Sequence, residues 1–287
     1  MPLKSQKLYF YAEMQQMKKI IVTLFIAFLS QYVFAGIVDT IEVYSNSMHK
    51  NIRCCFITPS NMKASQKKYP VIYLLHGYSG NYAQWITRAP QIQQQADELQ
   101  AIIVCPDGGY GSWYLDSPVD PSIRYETFIS IELVQYVDQH YPTKADRQYR
   151  AITGLSMGGH GGLYLGIKHK DIFGAAGSTS GGVDFRPFPK NWDLAKDLGD
   201  TVCCKTNWDK NVVINVIDQL KSKELSLIID CGVDDFFITV NRNLHAKLVE
   251  KKIEHDYVER PGEHNTAYWK NSIDYQLLYF KKFFEKG

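Results

Sequence analysis

Four short apolar runs in this chain, at residues 71–75, 101–105, 149–153 and 225–229, stop abruptly at turn-forming residues. The turns are His76-Gly77, Pro106-Asp107-Gly108-Gly109, Gly154 and Asp230-Cys231-Gly232. Runs of this length without polar alternation are what strands look like when both faces are covered. Among them lie stretches with helical spacing of apolar residues, at 85–99, 125–140, 157–169, 212–220, 239–251 and 266–284. Strand and helix in alternation predict an α/β fold, a mainly parallel central sheet with helices on both faces. Residues 41–44 and 51–58 come before the first such unit with no helix between them, which predicts an antiparallel start to the sheet. One large domain with a substantial core is the economical outcome for a chain of 287 residues with no repeat or linker. Residues 178–211 break the periodicity and contain Pro187, Pro189, Trp192 and Trp208. They read either as a partial lid over a functional site or as a surface excursion with two packed tryptophans.

Between the third run and the following helix stands Gly154-Leu155-Ser156-Met157-Gly158. A serine held in a strained turn from strand to helix crowds the positions two residues away on either side, and only very small residues fit there. This G-x-S-x-G spacing is the nucleophile elbow of the α/β-hydrolase fold. Serine is a weak nucleophile until a base takes its proton, and the base needs an oriented carboxylate. The chain order on this fold is Ser, then Asp or Glu, then His. After the elbow helix the candidates are His245, His255 and His264. His245 lies in a helical pattern and His255 at the charged start of a short strand, so both are expected at the surface. His264, in Pro261-Gly262-Glu263-His264-Asn265 between a strand at 257–258 and the last helix, is the expected base. For the acid, Asp230 is close enough to its strand end to act as a turn or capping residue. Asp234 and Asp235 both lie on the next loop, and spacing does not separate them. An oxyanion hole needs two aimed backbone N–H groups: Met157 supplies one by position, and Tyr78 in His76-Gly77-Tyr78-Ser79-Gly80 is expected to supply the other. His76 precedes the serine and is expected to brace its loop. Trp113, Tyr114, Trp192 and Trp208 are candidate flat surfaces for an aryl group or sugar ring.

Lys18-Lys19, the apolar residues 20–29, and Val33 and Ala35 at the −3 and −1 positions have the pattern of a secretory signal cleaved before Gly36. Residues 1–35 are thus read as a signal peptide and 36–287 as the functional domain, with Met17 a more typical initiator than Met1. Export places the domain in the periplasm or outside the cell. The apolar run is shorter than the roughly 20 residues that span a bilayer, so no stable membrane span is expected after cleavage. Lys+Arg 32 against Asp+Glu 30, with no long basic run, speaks against nucleic acid as a partner. All six cysteines lie after residue 35. Cys105 and Cys231 are expected as buried thiols, Cys54 and Cys55 on opposite faces of one strand, and Cys203-Cys204 in a loop; no disulfide pairing is selected. With no metal-ligand spacing, phosphate loop or dinucleotide fingerprint, no metal or other cofactor is expected.

Taken together, His76-Gly77-Tyr78-Ser79-Gly80, Trp85, Gly154-Leu155-Ser156-Met157-Gly158-Gly159, Cys231-Gly232-Val233-Asp234-Asp235-Phe236 and Gly262-Glu263-His264 resemble the esterase D-type family of esterases. That family includes S-formylglutathione hydrolases, tributyrin esterases, feruloyl and acetylxylan esterases, and the antigen 85 mycolyltransferases. The resemblance spans nearly the whole chain after residue 35. In the family's C-G-x-x-D-F motif the aspartate is the triad acid, which implies Asp235. Pro106-Asp107-Gly108-Gly109 with Trp113-Tyr114 resembles the family's loop beside the acyl site. The resemblance implies a serine carboxylesterase for short-chain or aromatic acyl esters, on small molecules or on plant polysaccharide. Its alternatives are an acyltransferase of the antigen 85 type and an S-formylglutathione hydrolase-like thioesterase. A non-enzymatic binding protein on the same fold is disfavoured by the complete residue set.

Overall fold

The computed structural model describes residues 10, 11, 13–19 and 36–287. The chain separates into two units, Met1–Phe34 and Ala35–Gly287. Residues 10, 11 and 13–19 are helical; the apolar run 20–29 and the expected cleavage site after Ala35 lie outside the described residues.

The second unit is built on an eight-stranded sheet. Its strands are β1 (Ile37–Ser45), β2 (Lys50–Thr58), β3 (Val71–Leu75), β4 (Ile102–Pro106), β5 (Arg150–Gly154), β6 (Ala175–Thr179), β7 (Ser226–Gly232) and β8 (Asp256–Arg260). They lie in the order β1-β2-β4-β3-β5-β6-β7-β8. β1 pairs with β2, and β2 with β4, antiparallel; every later pairing is parallel. The antiparallel start and parallel remainder match the sequence pattern.

Alternate residues of each central strand face opposite layers. Tyr73 and Leu75 join a core under α3 (Leu133–His140), α4 (Met157–Lys168) and α8 (Ile238–Glu250). Ile72 and Leu74 join a second core under α1 (Gln84–Arg88), α2 (Ile92–Leu99) and α9 (Thr266–Phe284). The expected helix at 85–99 is two helices, because Pro90 has no N–H to continue the first and disfavours a helical residue before it. A helical turn at Tyr125–Thr127 runs through a π turn, Phe128–Glu132, into α3. β6, Ala-Ala-Gly-Ser-Thr, carries none of the large β-branched residues that reveal a strand, and its smallness has a packing cause. A methyl group at Gly162 of α4 would sit 2.5 Å from the Gly177 carbonyl oxygen, and one at Gly166 would sit 2.5 Å from Ala176 Cβ. Helix and strand thus approach to backbone contact.

The aperiodic stretch 178–211 contains the end of β6 and two short helices, α5 (Leu194–Leu198) and α6 (Lys205–Lys210); α7 (Val213–Val216) follows. Among the described residues no helix is long and apolar enough to cross a membrane.

Candidate active site

The C-terminal ends of β3, β5, β7 and β8 open onto one place, the usual position of a site in a parallel α/β sheet. Ser156 follows β5 with φ 55° and ψ −115°, a conformation that costs a non-glycine residue about 1–3 kcal/mol. The surroundings hold it there: its N–H donates to the Thr179 carbonyl at 2.9 Å, and its carbonyl accepts from His160 N–H at 3.0 Å. The flanking glycines are required by close approach. A methyl group at position 154 would lie 2.5 Å from the Leu75 carbonyl oxygen, and one at 158 would lie 2.6 Å from the His76 carbonyl oxygen.

The loop after β7 carries Asp235 and the loop after β8 carries His264. His264 Nε2 lies 2.9 Å from Ser156 Oγ, and His264 Nδ1 lies 2.8 Å from Asp235 Oδ2. The other carboxylate oxygen of Asp235 accepts the Phe237 N–H at 2.8 Å, and the residue is 2% exposed. A carboxylate accepts only, so Nδ1 carries the ring proton and Nε2 presents its lone pair to the serine hydroxyl. The imidazole is flanked by Phe236, at 4.2 Å between ring centroids, and by Trp269, at 5.1 Å and edge-on. Asp234 is exposed on the same loop, where its backbone N–H donates to the Gly262 carbonyl at 3.0 Å. Geometry therefore separates two aspartates that spacing left together. Asp230 departs from the expected turn or capping role. It lies inside β7, fully buried, with Ser272 Oγ donating at 2.6 Å and Gln276 Nε2 at 2.7 Å, so it ties the sheet to α9. Burial raises its pKa.

In the loop after β3, the N–H of Gly77 goes to Gln84 Oε1, that of Ser79 to the Tyr110 carbonyl and that of Gly80 to the Gly77 carbonyl. Among the described residues no protein acceptor takes the N–H of Tyr78 or of Met157. His76 braces this loop. Its Nε2 accepts the Gly108 N–H at 2.7 Å, which leaves the Nδ1–H to face the Gly77 carbonyl at 2.8 Å. The Tyr78 hydroxyl donates to Asp193 at 2.8 Å, tying the loop to the 178–211 stretch.

The four aromatic residues proposed from sequence as flat surfaces part company. Trp113, Tyr114 and Trp208 are at most 1% exposed and are packing residues. Tyr114 donates its hydroxyl to the His76 carbonyl, and Trp208 donates its Nε1–H to that of Gly199. The physical reason lies partly in the backbone: Trp113 and Tyr114 have φ of 50° and 59°, a turn that folds both rings inward. Trp192 alone is partly exposed, and it stacks on Phe236 at 6.0 Å. Phe236, 51% exposed beside His264, and Tyr110, 65% exposed and packed on Tyr78, are rim residues that sequence reasoning missed. Phe236 is the aromatic residue of the C-G-x-x-D-F motif, which gives it a place beside Asp235 but no role. His245 and His255, expected at the surface, are half-buried and face each other at 2.8 Å. A cavity of about 570 Å³ lined by Arg147, Gly174, Ser226 and Asp256 lies at the opposite, N-terminal ends of the strands. Among the described residues no group of three or more His, Cys, Asp or Glu side chains could hold a metal ion.

A sequence model of the esterase family, described as "Putative esterase", matches residues 45–280. The chain belongs to the esterase family. It is a hydrolase of carboxylic esters. This esterase is 28% identical over 254 residues to an acetyl esterase of Caldicellulosiruptor saccharolyticus, covering 81% of this chain and 94% of that protein. It is 24% identical over 244 residues to an S-formylglutathione hydrolase of Mus musculus, covering 77% and 84% respectively. Among solved structures, a ferulic acid esterase superposes with a TM-score of 0.76 at 26% identity, over 88% of this chain and 99% of that one.

Proposed function

We propose that this esterase is exported and cleaves short-chain or aromatic acyl esters through Ser156, His264 and Asp235. The observation that carries the proposal is the unbroken hydrogen-bonded row from the strained Ser156 through His264 to buried Asp235. In this reading Ser156 Oγ attacks the ester carbonyl while His264 Nε2 takes its proton. Asp235 holds the Nδ1–H and stabilises the imidazolium. The N–H groups of Tyr78 and Met157 receive the negative oxygen. The imidazolium then protonates the departing alcohol, leaving an acyl-enzyme. Water, deprotonated by the same imidazole, releases the acid. Ser156→Ala should lower kcat by about 10⁴ to 10⁶; a variant keeping more than a tenth of the activity overturns the assignment.

For the substrate, the apolar rim of Trp192, Phe236 and Tyr110 suits an aryl or short acyl group, and the named relatives include an acetyl esterase and a ferulic acid esterase. An extracytoplasmic molecule such as acetylated or feruloylated plant polysaccharide fits an exported enzyme. The test is kcat/KM on methyl ferulate and acetylated xylan against S-formylglutathione and a long-chain triglyceride. Preference for either of the latter two rejects this class. Export is supported by Lys18-Lys19 and the apolar residues 20–29. Mass spectrometry of the exported protein should find Gly36 at its N-terminus; an intact 1–35 segment on a cytosolic protein contradicts it.

A further inference from the structure

The six cysteines fall into two chemical classes. Cys54, Cys55, Cys105 and Cys231 are at most 1% exposed. Burial pushes the Cys55 thiol up to about 11 and raises the other three as well, which suppresses the thiolate that exchange chemistry needs. Cys203 and Cys204 differ in exposure: they are at the surface of the 178–211 stretch, one exposed and one partly so, with their Sγ atoms 2.8 Å apart, and the hydrogen bond with Cys203 raises the Cys204 thiol. The backbone already brings the two sulfurs together. Cys204 N–H donates to the Asp200 carbonyl at 2.8 Å, Val202 N–H donates to the Asp200 carboxylate at 2.7 Å, and Cys203 Sγ lies 3.6 Å from the Asp200 carbonyl. Cys204 Sγ also packs where a side chain at Gly199 would stand, at 2.7 Å from that position.

We propose that Cys203 and Cys204 form a reversible redox-modification site, a vicinal dithiol that closes to an intramolecular disulfide by exchange with a small-molecule disulfide. One thiolate attacks the external disulfide and expels one small thiol, giving a mixed disulfide. The neighbouring thiol loses its proton, attacks the protein sulfur of that bond and expels the second small thiol. The external disulfide is reduced to two thiols as the protein pair is oxidised, and two hydrogens leave the protein. Adjacent Cα atoms are about 3.8 Å apart, below the usual span of about 4.4–6.8 Å for a disulfide. A bond closed across that distance is readily reduced, which marks the site as labile rather than structural. In the reduced state the same pair offers two sulfurs to one trivalent arsenical.

The test uses the full chain, reduced and then returned to native buffer. Brief iodoacetamide treatment and peptide mapping should label Cys203 and Cys204 and leave the other four unlabelled, and prior phenylarsine oxide should protect both. Incubation with oxidised glutathione should remove two hydrogens from the peptide holding both residues, with no glutathione retained and with full reversal by dithiothreitol. Cys203→Ser and Cys204→Ser, each blocking ring closure by removing one of the two sulfurs, should each retain one glutathione. A stable glutathione adduct on the unsubstituted chain, a disulfide-linked dimer, or a bond involving any buried cysteine overturns the proposal.

Discussion

Replacing Asp235 by Asn probes the hydrogen-bonded row at its buried end with almost no change of shape. Asp235 Oδ1 accepts the Phe237 N–H, which holds the side-chain oxygen of an Asn in that place. The new amide NH₂ then occupies the Oδ2 position, 2.8 Å from His264 Nδ1. A donor there favours the tautomer in which Nδ1 is the acceptor and Nε2 carries the hydrogen. Nε2 lies 2.9 Å from Ser156 Oγ and in that tautomer has no lone pair to receive the serine proton. The expected loss is on the order of 10³ to 10⁴ in kcat, or about 4–5.5 kcal/mol of transition-state stabilisation, with KM little changed. Exposed Asp234, whose side chain plays no part in the row, should lose less than about tenfold when changed to Asn, since it removes no contact to the imidazole. The assay is steady-state hydrolysis of p-nitrophenyl acetate, with circular dichroism to show that both variants fold. An Asp235→Asn enzyme within tenfold of the unsubstituted one, or a larger loss at Asp234, refutes the reasoning.

The aromatic residues make a paired prediction. Trp113→Ala, in the core, should cost about 3–5 kcal/mol of stability, whereas Phe236→Ala, half exposed, should leave Tm nearly unchanged and raise KM for an aryl ester by up to about tenfold. Thermal melts and kinetics on methyl ferulate check both, and equal stability losses would show that the rim has been misjudged. Asp197, buried in α5 and facing Asp120 and Asp193, has its carboxyl pushed up to about 6. That lies above the unfolded value of about 3.9, so the folded chain binds the proton more tightly. The resulting stabilisation is full below the unfolded pKa and is lost as pH rises through 6. Asp197→Asn should therefore stabilise the protein by about 1–2 kcal/mol near pH 7.5 and by much less near pH 4.5, read by denaturant melts; equal effects at both values would contradict the burial argument.

What the sequence made legible follows from how local each signal is. The strand at Val71–Leu75 and the helix at Thr266–Phe284 have the predicted bounds, because an uninterrupted apolar run and a long periodic face survive any tertiary context. β6 escaped because its small residues answer to the close approach of α4, a constraint visible only when the two are packed together. At the site, the elbow spacing is a local steric requirement and is plain in the sequence. The choice between Asp234 and Asp235 depends on which side of a loop faces His264, which spacing does not encode. The same limit explains the aromatics. Nothing in composition tells that Trp113 is enclosed while Phe236 is open, since both outcomes rest on contacts with distant segments such as Phe185 and Phe188.

The central claim is that Ser156 is the nucleophile. Peptide mapping after treatment of the folded protein with a fluorophosphonate tests it most directly, because phosphonylation needs both an activated hydroxyl and donors for the developing oxyanion. The account predicts one stoichiometric adduct on Ser156, with parallel loss of esterase activity. An adduct on a different residue, or full inactivation with Ser156 unmodified, would contradict it.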